Sequence, residues 1–148
     1  MATSFKNLCF ILVMLFMLSC RPAAYITHGS SFGHCQGMCN KELKLYPKKT
    51  EFKTWSNGPG ISQLEKGVAT TGKDYEAILA KIDVKKFKRL KNTYGCPDCA
   101  DGGAEWISLK MGFSTKKVLF EFGNPPEELK SINDDLRKVQ ESFETKKK

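Results

Sequence analysis

Six cysteines give the chain its most reactive groups, and four of them stand in two close pairs, Cys35-x3-Cys39 and Cys96-x2-Cys99. Three chemistries suit sulfurs at that spacing. The first is a pair of structural disulfides, the expected state of an even cysteine set in an exported domain, where glutathione does not hold thiols reduced. Four cysteines allow three connectivities, and spacing does not choose among them. A bond joining the two pairs would close a large ring and stabilise by about 4 kcal/mol through chain entropy, whereas bonds within each pair would contribute much less. The two cysteine loops are expected to lie near each other. The second chemistry is zinc ligation by the four thiolates, with His34 and His28 beside the first pair. The third is thiol–disulfide exchange at Cys96-Pro97-Asp98-Cys99, although a Gly-Gly loop and a strand follow this motif where a redox site would place a helix.

Other polar groups offer less. Asp98, Asp101 and Glu105 flank Gly102-Gly103 and are candidate calcium ligands, yet they lack the regular spacing of a calcium loop, and turn chemistry accounts for Asp-Gly-Gly equally well. His34 has the pKa range of a general base but no nucleophile paired with it. No catalytic constellation and no dedicated metal site emerges, so an enzyme is not expected.

The remaining two cysteines belong to the N-terminus. Lys6 is followed by an uninterrupted apolar run, Leu8 to Leu18, which holds Cys9 and has the layout of a secretory signal. The run falls short of the roughly 20 apolar residues that a spanning helix needs. Met17-Leu18-Ser19-Cys20 resembles a lipobox, which implies cleavage after Ser19 and acyl chains, palmitate among them, on Cys20. A longer signal cut after Ala24 is the competing reading. Each buried methylene contributes about 0.8 kcal/mol, so two or three such chains hold a protein on a membrane. Arg21, where an aspartate would mark inner-membrane retention, points to the outer membrane of the cell envelope.

The chain has 148 residues and a net charge of +8, from 24 Lys and Arg against 16 Asp and Glu. Its basic residues gather at Lys41 to Lys53, at Lys85 to Lys91 and in the tail Lys146 to Lys148. Export disfavours nucleic acid as a partner, and solvated lysines account for these clusters. The expected organisation is a signal at 1–19, a lipidated N-terminus and short tether at 20–24, one domain at 25–145 and a basic tail at 146–148.

Periodicity supplies the elements. Ala24 to Thr27 begins a strand that gives way to a loop over Gly29 to Asn40, and Glu42 to Tyr46 and Glu51 to Trp55 alternate as strands. Asp74 suits the cap of a helix carrying Tyr75, Ile78, Leu79 and Ile82. Asp83 to Leu90 reads as a second short helix or a continuation. Glu105 to Met111 and Lys117 to Phe122 are strands joined by Gly112 to Lys116. Asn124 and Pro125 suit the start of a last helix with Leu129, Ile132, Leu136, Val139 and Phe143 on one stripe. The predicted fold is α+β, an antiparallel sheet of about five strands in the order β-β-β-α-β-β-α, with two to three helices on one face.

Two stretches carry a family resemblance: Gly29-Ser30-Ser31-Phe32-Gly33-His34-Cys35 through Cys39, and Gly95-Cys96-Pro97-Asp98-Cys99-Ala100-Asp101-Gly102-Gly103-Ala104-Glu105-Trp106. They resemble a family of small exported bacterial lipoproteins that carry a domain of unknown function. The resemblance implies a lipid-anchored, single-domain envelope protein, and it brings no activity or catalytic residue. The function expected is a non-enzymatic binding or interaction module with a disulfide-held loop surface, facing an envelope protein or ligand. The alternative is an envelope thiol or zinc protein that uses the same four cysteines.

Overall fold

In a computed structural model, residues 24–57, 65–69 and 72–145 are described. The expected signal, Cys20 and the basic tail lie outside these residues. The strands are β1 (Tyr25–Ser31), β2 (Asn40–Leu45), β3 (Thr50–Trp55), β4 (Glu65–Ala69), β5 (Thr93–Tyr94), β6 (Ala104–Met111) and β7 (Ser114–Glu121). They form one sheet in the order β4-β3-β2-β1-β6-β7-β5. Every neighbouring pair is antiparallel except β5 with β7. The α+β class holds, but the sheet is mixed and has seven strands. The two additions, β4 and β5, escape a periodicity reading for physical reasons. Gly67 interrupts the apolar alternation of β4, and β5 is only two residues long.

Other boundaries also differ from expectation. β1 does not yield to a loop at Gly29 but continues to Ser31. Glycine is required there, because a Cβ at Gly29 would sit 2.2 Å from a ring carbon of Trp106. The β6–β7 connection is a two-residue turn, Gly112-Phe113, rather than the longer link to Lys116, since Met111 already pairs with Ser114.

Three α-helices follow among the described residues: α1 (Lys73–Leu79), α2 (Val84–Arg89) and α3 (Lys130–Thr145). Asp83 caps α2, its carboxylate accepting from the N–H groups of Lys85 and Lys86 at 3.0 and 3.1 Å, so α2 is a separate helix. Asp74 lies in the first turn of α1 and not at its cap, which is Gly72. Asn124 caps nothing; its amide donates to Glu121, and a 3-10 turn at Glu127–Leu129 precedes α3.

The helices bury Tyr75, Ile78, Phe87, Ile132 and Leu136 into one cluster with Ile26, Leu43, Phe52, Ile107 and Val118 from the sheet, and so all pack on the same face. Large apolar side chains contribute roughly 1.5–3 kcal/mol each when fully buried. Pairing register sorts this face into rows. Phe52, Leu43, His28, Ile107 and Val118 make a middle row that is apolar except for His28, and Thr54, Lys41, Ser30, Glu105 and Phe120 make the next row toward the cysteine loops. The opposite face carries Trp106 with Lys117 4.3 Å above its ring, and burial lowers the Lys117 pKa.

Candidate functional site

Both cysteine loops emerge at the same end of the sheet. β1 ends and β2 begins there, and β5, running parallel to β7, delivers Cys96 to it before β6 returns. The sulfurs bond within each pair, Cys35 to Cys39 and Cys96 to Cys99, and no disulfide links the two loops. Noncovalent ties hold the loops together instead, and their nearness is as predicted. The Gly33 N–H donates to Asp98 at 3.4 Å, and His34 Nδ1 meets Asp101 at 2.6 Å. Phe32 packs where a Cβ on Gly103 would collide with its ring at 2.4 Å. From β3's end, Asn57 donates to the carbonyls of Phe32 and Gly33 at 2.6 and 3.1 Å. The hydrogen bond and charge of Asp101 raise the His34 pKa. Three residues of the second loop, Asp98, Ala100 and Asp101, hold positive φ without being glycine. With their sulfurs in disulfides the four cysteines present no thiolates for a metal. Among the described residues no group of three or more His, Cys, Asp and Glu side chains gathers to hold one.

Glu105 parts company with Asp98 and Asp101. Alternation along β6 turns it under α3, where it is fully buried. Its Oε1 meets His28 Nε2 at 2.7 Å and accepts from Arg137 Nε at 2.8 Å, while its Oε2 accepts from Arg137 Nη2 at 2.7 Å and from the Gly123 N–H at 3.0 Å. Burial by itself raises the Glu105 pKa. The hydrogen bonds from His28, Arg137 and Gly123 outweigh it and bring the value down to about 2, and the same contact raises the Arg137 pKa. A carboxylate held ionised in the interior needs such complete pairing.

This triad floors a cleft of about 160 Å³ between α3 and the disulfide end of the sheet, with Phe32 and Phe122 on one side and Gln140, Glu141 and Glu144 on the other. The two phenylalanine rings meet edge to face at 4.7 Å, and the Arg137 guanidinium lies 4.7 Å from the Phe122 ring. Lys41 pairs with Glu144 at 2.9 Å across the cleft.

Sequence reasoning singled out His34, Asp98, Asp101 and the cysteines, which do come together. It did not connect Glu105 with His28 and Arg137. One signal was available: His28 and Ser30 continue the period-two face that starts at Ile26, which puts a histidine at an inward position. Comparison of the chain with protein-family models and with curated proteins finds no match.

Proposed function

We propose that the chain is an exported, lipid-anchored binding module of the bacterial cell envelope, tethered at Cys20 and presenting the disulfide-tied loops to a partner or ligand. It would be of the small lipoprotein kind that its two motifs resemble. The observation that supports this reading is the polarity of the sheet. β1 enters at the end opposite the cysteine loops, beside the Tyr46–Lys49 and Gly112–Phe113 turns. Only Arg21, Pro22 and Ala23 separate Cys20 from Ala24, a reach of no more than about 14 Å at 3.3–3.6 Å per residue. That near end carries Phe113, fully exposed at a hairpin tip beside Met111, and the exposed Lys48 and Lys49 in the β2–β3 turn. An apolar tip among lysines suits an anionic membrane surface. Strands rise about 3.3 Å per residue, so β1 sets the cysteine loops roughly 20 Å further out. Loops held by a rigid scaffold are common carriers of recognition.

Two measurements test the reading. Cys20→Ala should abolish palmitate incorporation and membrane attachment; unchanged labelling would end the anchoring half. A photo-crosslinking residue at Gln36 should give a discrete envelope adduct in intact cells, and the same residue at Lys48 should not. Equal adducts from both positions would remove the loop surface from the proposal.

A second reading, thiol–disulfide exchange at Cys96 and Cys99, draws support from two observations. Both cysteines are exposed, and the loop holds Asp98, Ala100 and Asp101 in the left-handed region, a conformation that costs L-residues about 1–2 kcal/mol each. Mass spectrometry across a graded dithiol buffer decides: this pair should open well before Cys35–Cys39, and equal resistance of the two removes the redox reading.

A further inference from the structure

Hydrogen-bonding capacity in the cleft under α3 is unevenly spent. Its cations are committed, Arg137 to both oxygens of Glu105 and Lys41 to Glu144. Its acceptors are not. His28 places Nε2 2.7 Å from the Glu105 carboxylate, and in the neutral imidazole that donates from Nε2 the other ring nitrogen, Nδ1, is a lone-pair acceptor. That atom is buried without a partner, on a side chain 1 % exposed. Gln140 is 8 % exposed; its amide nitrogen donates to Glu144 at 3.1 Å, and its Oε1 is likewise buried and unpartnered. A buried acceptor left unsatisfied is destabilising, so a donor that reaches it from the cleft is favoured.

Charge points the same way. Glu105, Glu141 and Glu144 line the cleft against Lys41 and Arg137, so three carboxylates face two cations and one negative charge is left over. The surplus occurs on a chain whose net charge is +8. An ammonium group has three donors and no acceptor, which matches the His28 Nδ1, the Gln140 Oε1 and the Glu141 carboxylate. Phe32 and Phe122 add an apolar wall for a short hydrocarbon body, and aromatic faces also attract cations.

We propose that this cleft binds the ammonium group of a small primary amine, with His28, Gln140 and Glu141 as its acceptors. The site shares Phe32 with the first cysteine loop but takes its acceptors from β1 and α3, and it does not depend on the anchor. Calorimetry on the full chain in detergent tests it with n-butylammonium as the probe, against n-butanol and butyrate at matched ionic strength. Butylammonium should saturate one site, butanol should bind at least about tenfold more weakly for want of charge, and butyrate should not bind. Glu141→Gln, at an exposed position on α3 that leaves folding intact by circular dichroism, should weaken butylammonium about tenfold. Gln140→Met should weaken it further while His34→Ala leaves it unchanged. Absence of saturation would show that the cleft holds water only, and equal binding of butanol or full affinity in Glu141→Gln would show that no ammonium is recognised there; each overturns the proposal. Loss of binding in His34→Ala would move the site to the loops and overturn it equally.

Discussion

The two ends of the sheet are built by different means. At the near end two tight turns close the strands through local contacts: the Tyr46 N–H donates to Lys49 O at 2.8 Å, Lys49 pairs with Glu51 at 2.6 Å, and Gly112-Phe113 needs only two residues. No side chain there is tied down by a disulfide, and Phe113 stands free in solvent. The far end carries two irregular loops, each closed by a disulfide; Asp98 and Asp101 fasten the second to the first, and Asn57 ties the first to the end of β3. Below them the apolar rows of the sheet give way to Ser30, Lys41 and Glu105. Short turns are stabilised locally. Long loops above a polar row require covalent and electrostatic ties, and that investment is concentrated where the two candidate sites lie.

The difference breaks most severely at Glu105. Glu105→Ala leaves His28 buried and Arg137 half-buried around a missing carboxylate, and breaking a buried pair in this way costs about 3–5 kcal/mol; urea unfolding checks it. The pH dependence follows from the same group. Its folded pKa of about 2 lies below the ordinary carboxylate value of 4.5, so its contribution is present above about pH 4.5 and is lost as pH falls toward 2. Wild type should therefore lose stability more steeply than Glu105→Gln across that window. Parallel slopes in the two proteins would show that the triad does not stabilise the far end.

Removing one disulfide should cost less. The bonds span separations of four and three residues, and loops that short contribute about 2 kcal/mol each by chain entropy. Replacing Cys96 and Cys99 by alanine should lower the unfolding free energy by about that amount and expose far-end amides to hydrogen exchange, with the near-end turns unchanged. A loss near 4 kcal/mol, or exchange spreading to both ends, would mean that the loops brace the whole sheet.

How far the sequence disclosed this architecture depends on how local each signal is. The stripe Leu129, Ile132, Leu136, Val139 and Phe143 located α3, and alternation located β2, β3, β6 and β7, because side-chain period is a local property. β5 exists only because β7 lies beside it, and two residues have no period to read. The nearness of the cysteine loops was expected from the stability of a bond joining the two pairs, and it is reached without one; the connectivity was not legible, because spacing does not choose among three pairings. The triad was least legible of all: His28, Glu105 and Arg137 are separated in sequence by 77 and 32 residues and meet only through strand register and the path of α3 across the sheet.

At the near end, Phe113→Ser should move stability by less than about 0.5 kcal/mol, because the ring is fully exposed. Binding of the Cys20→Ala protein to vesicles of anionic phospholipid should nevertheless fall measurably in the same variant. Unchanged vesicle binding would leave the tip without a role at a membrane and weaken the contrast between the ends.

The smallest effect tests whether the exposed contact between the loops orders them or merely decorates them. Asp101 raises the His34 pKa through a hydrogen bond and its charge, so the interaction favours the folded state below the histidine's ordinary pKa of 6.5 and fades as pH rises through the raised value. Both side chains are largely exposed, and solvent screening keeps the stability change small. The informative measurement is the imidazole titration by NMR. In Asp101→Asn the His34 midpoint should fall toward its ordinary value while the Phe32–Phe122 ring contact persists, since Gly33–Asp98 and the Asn57 clamp still hold the loop. If that ring contact is lost with the charge, this one exposed pair orders the loop, and the far end is held by electrostatics more than by its disulfides.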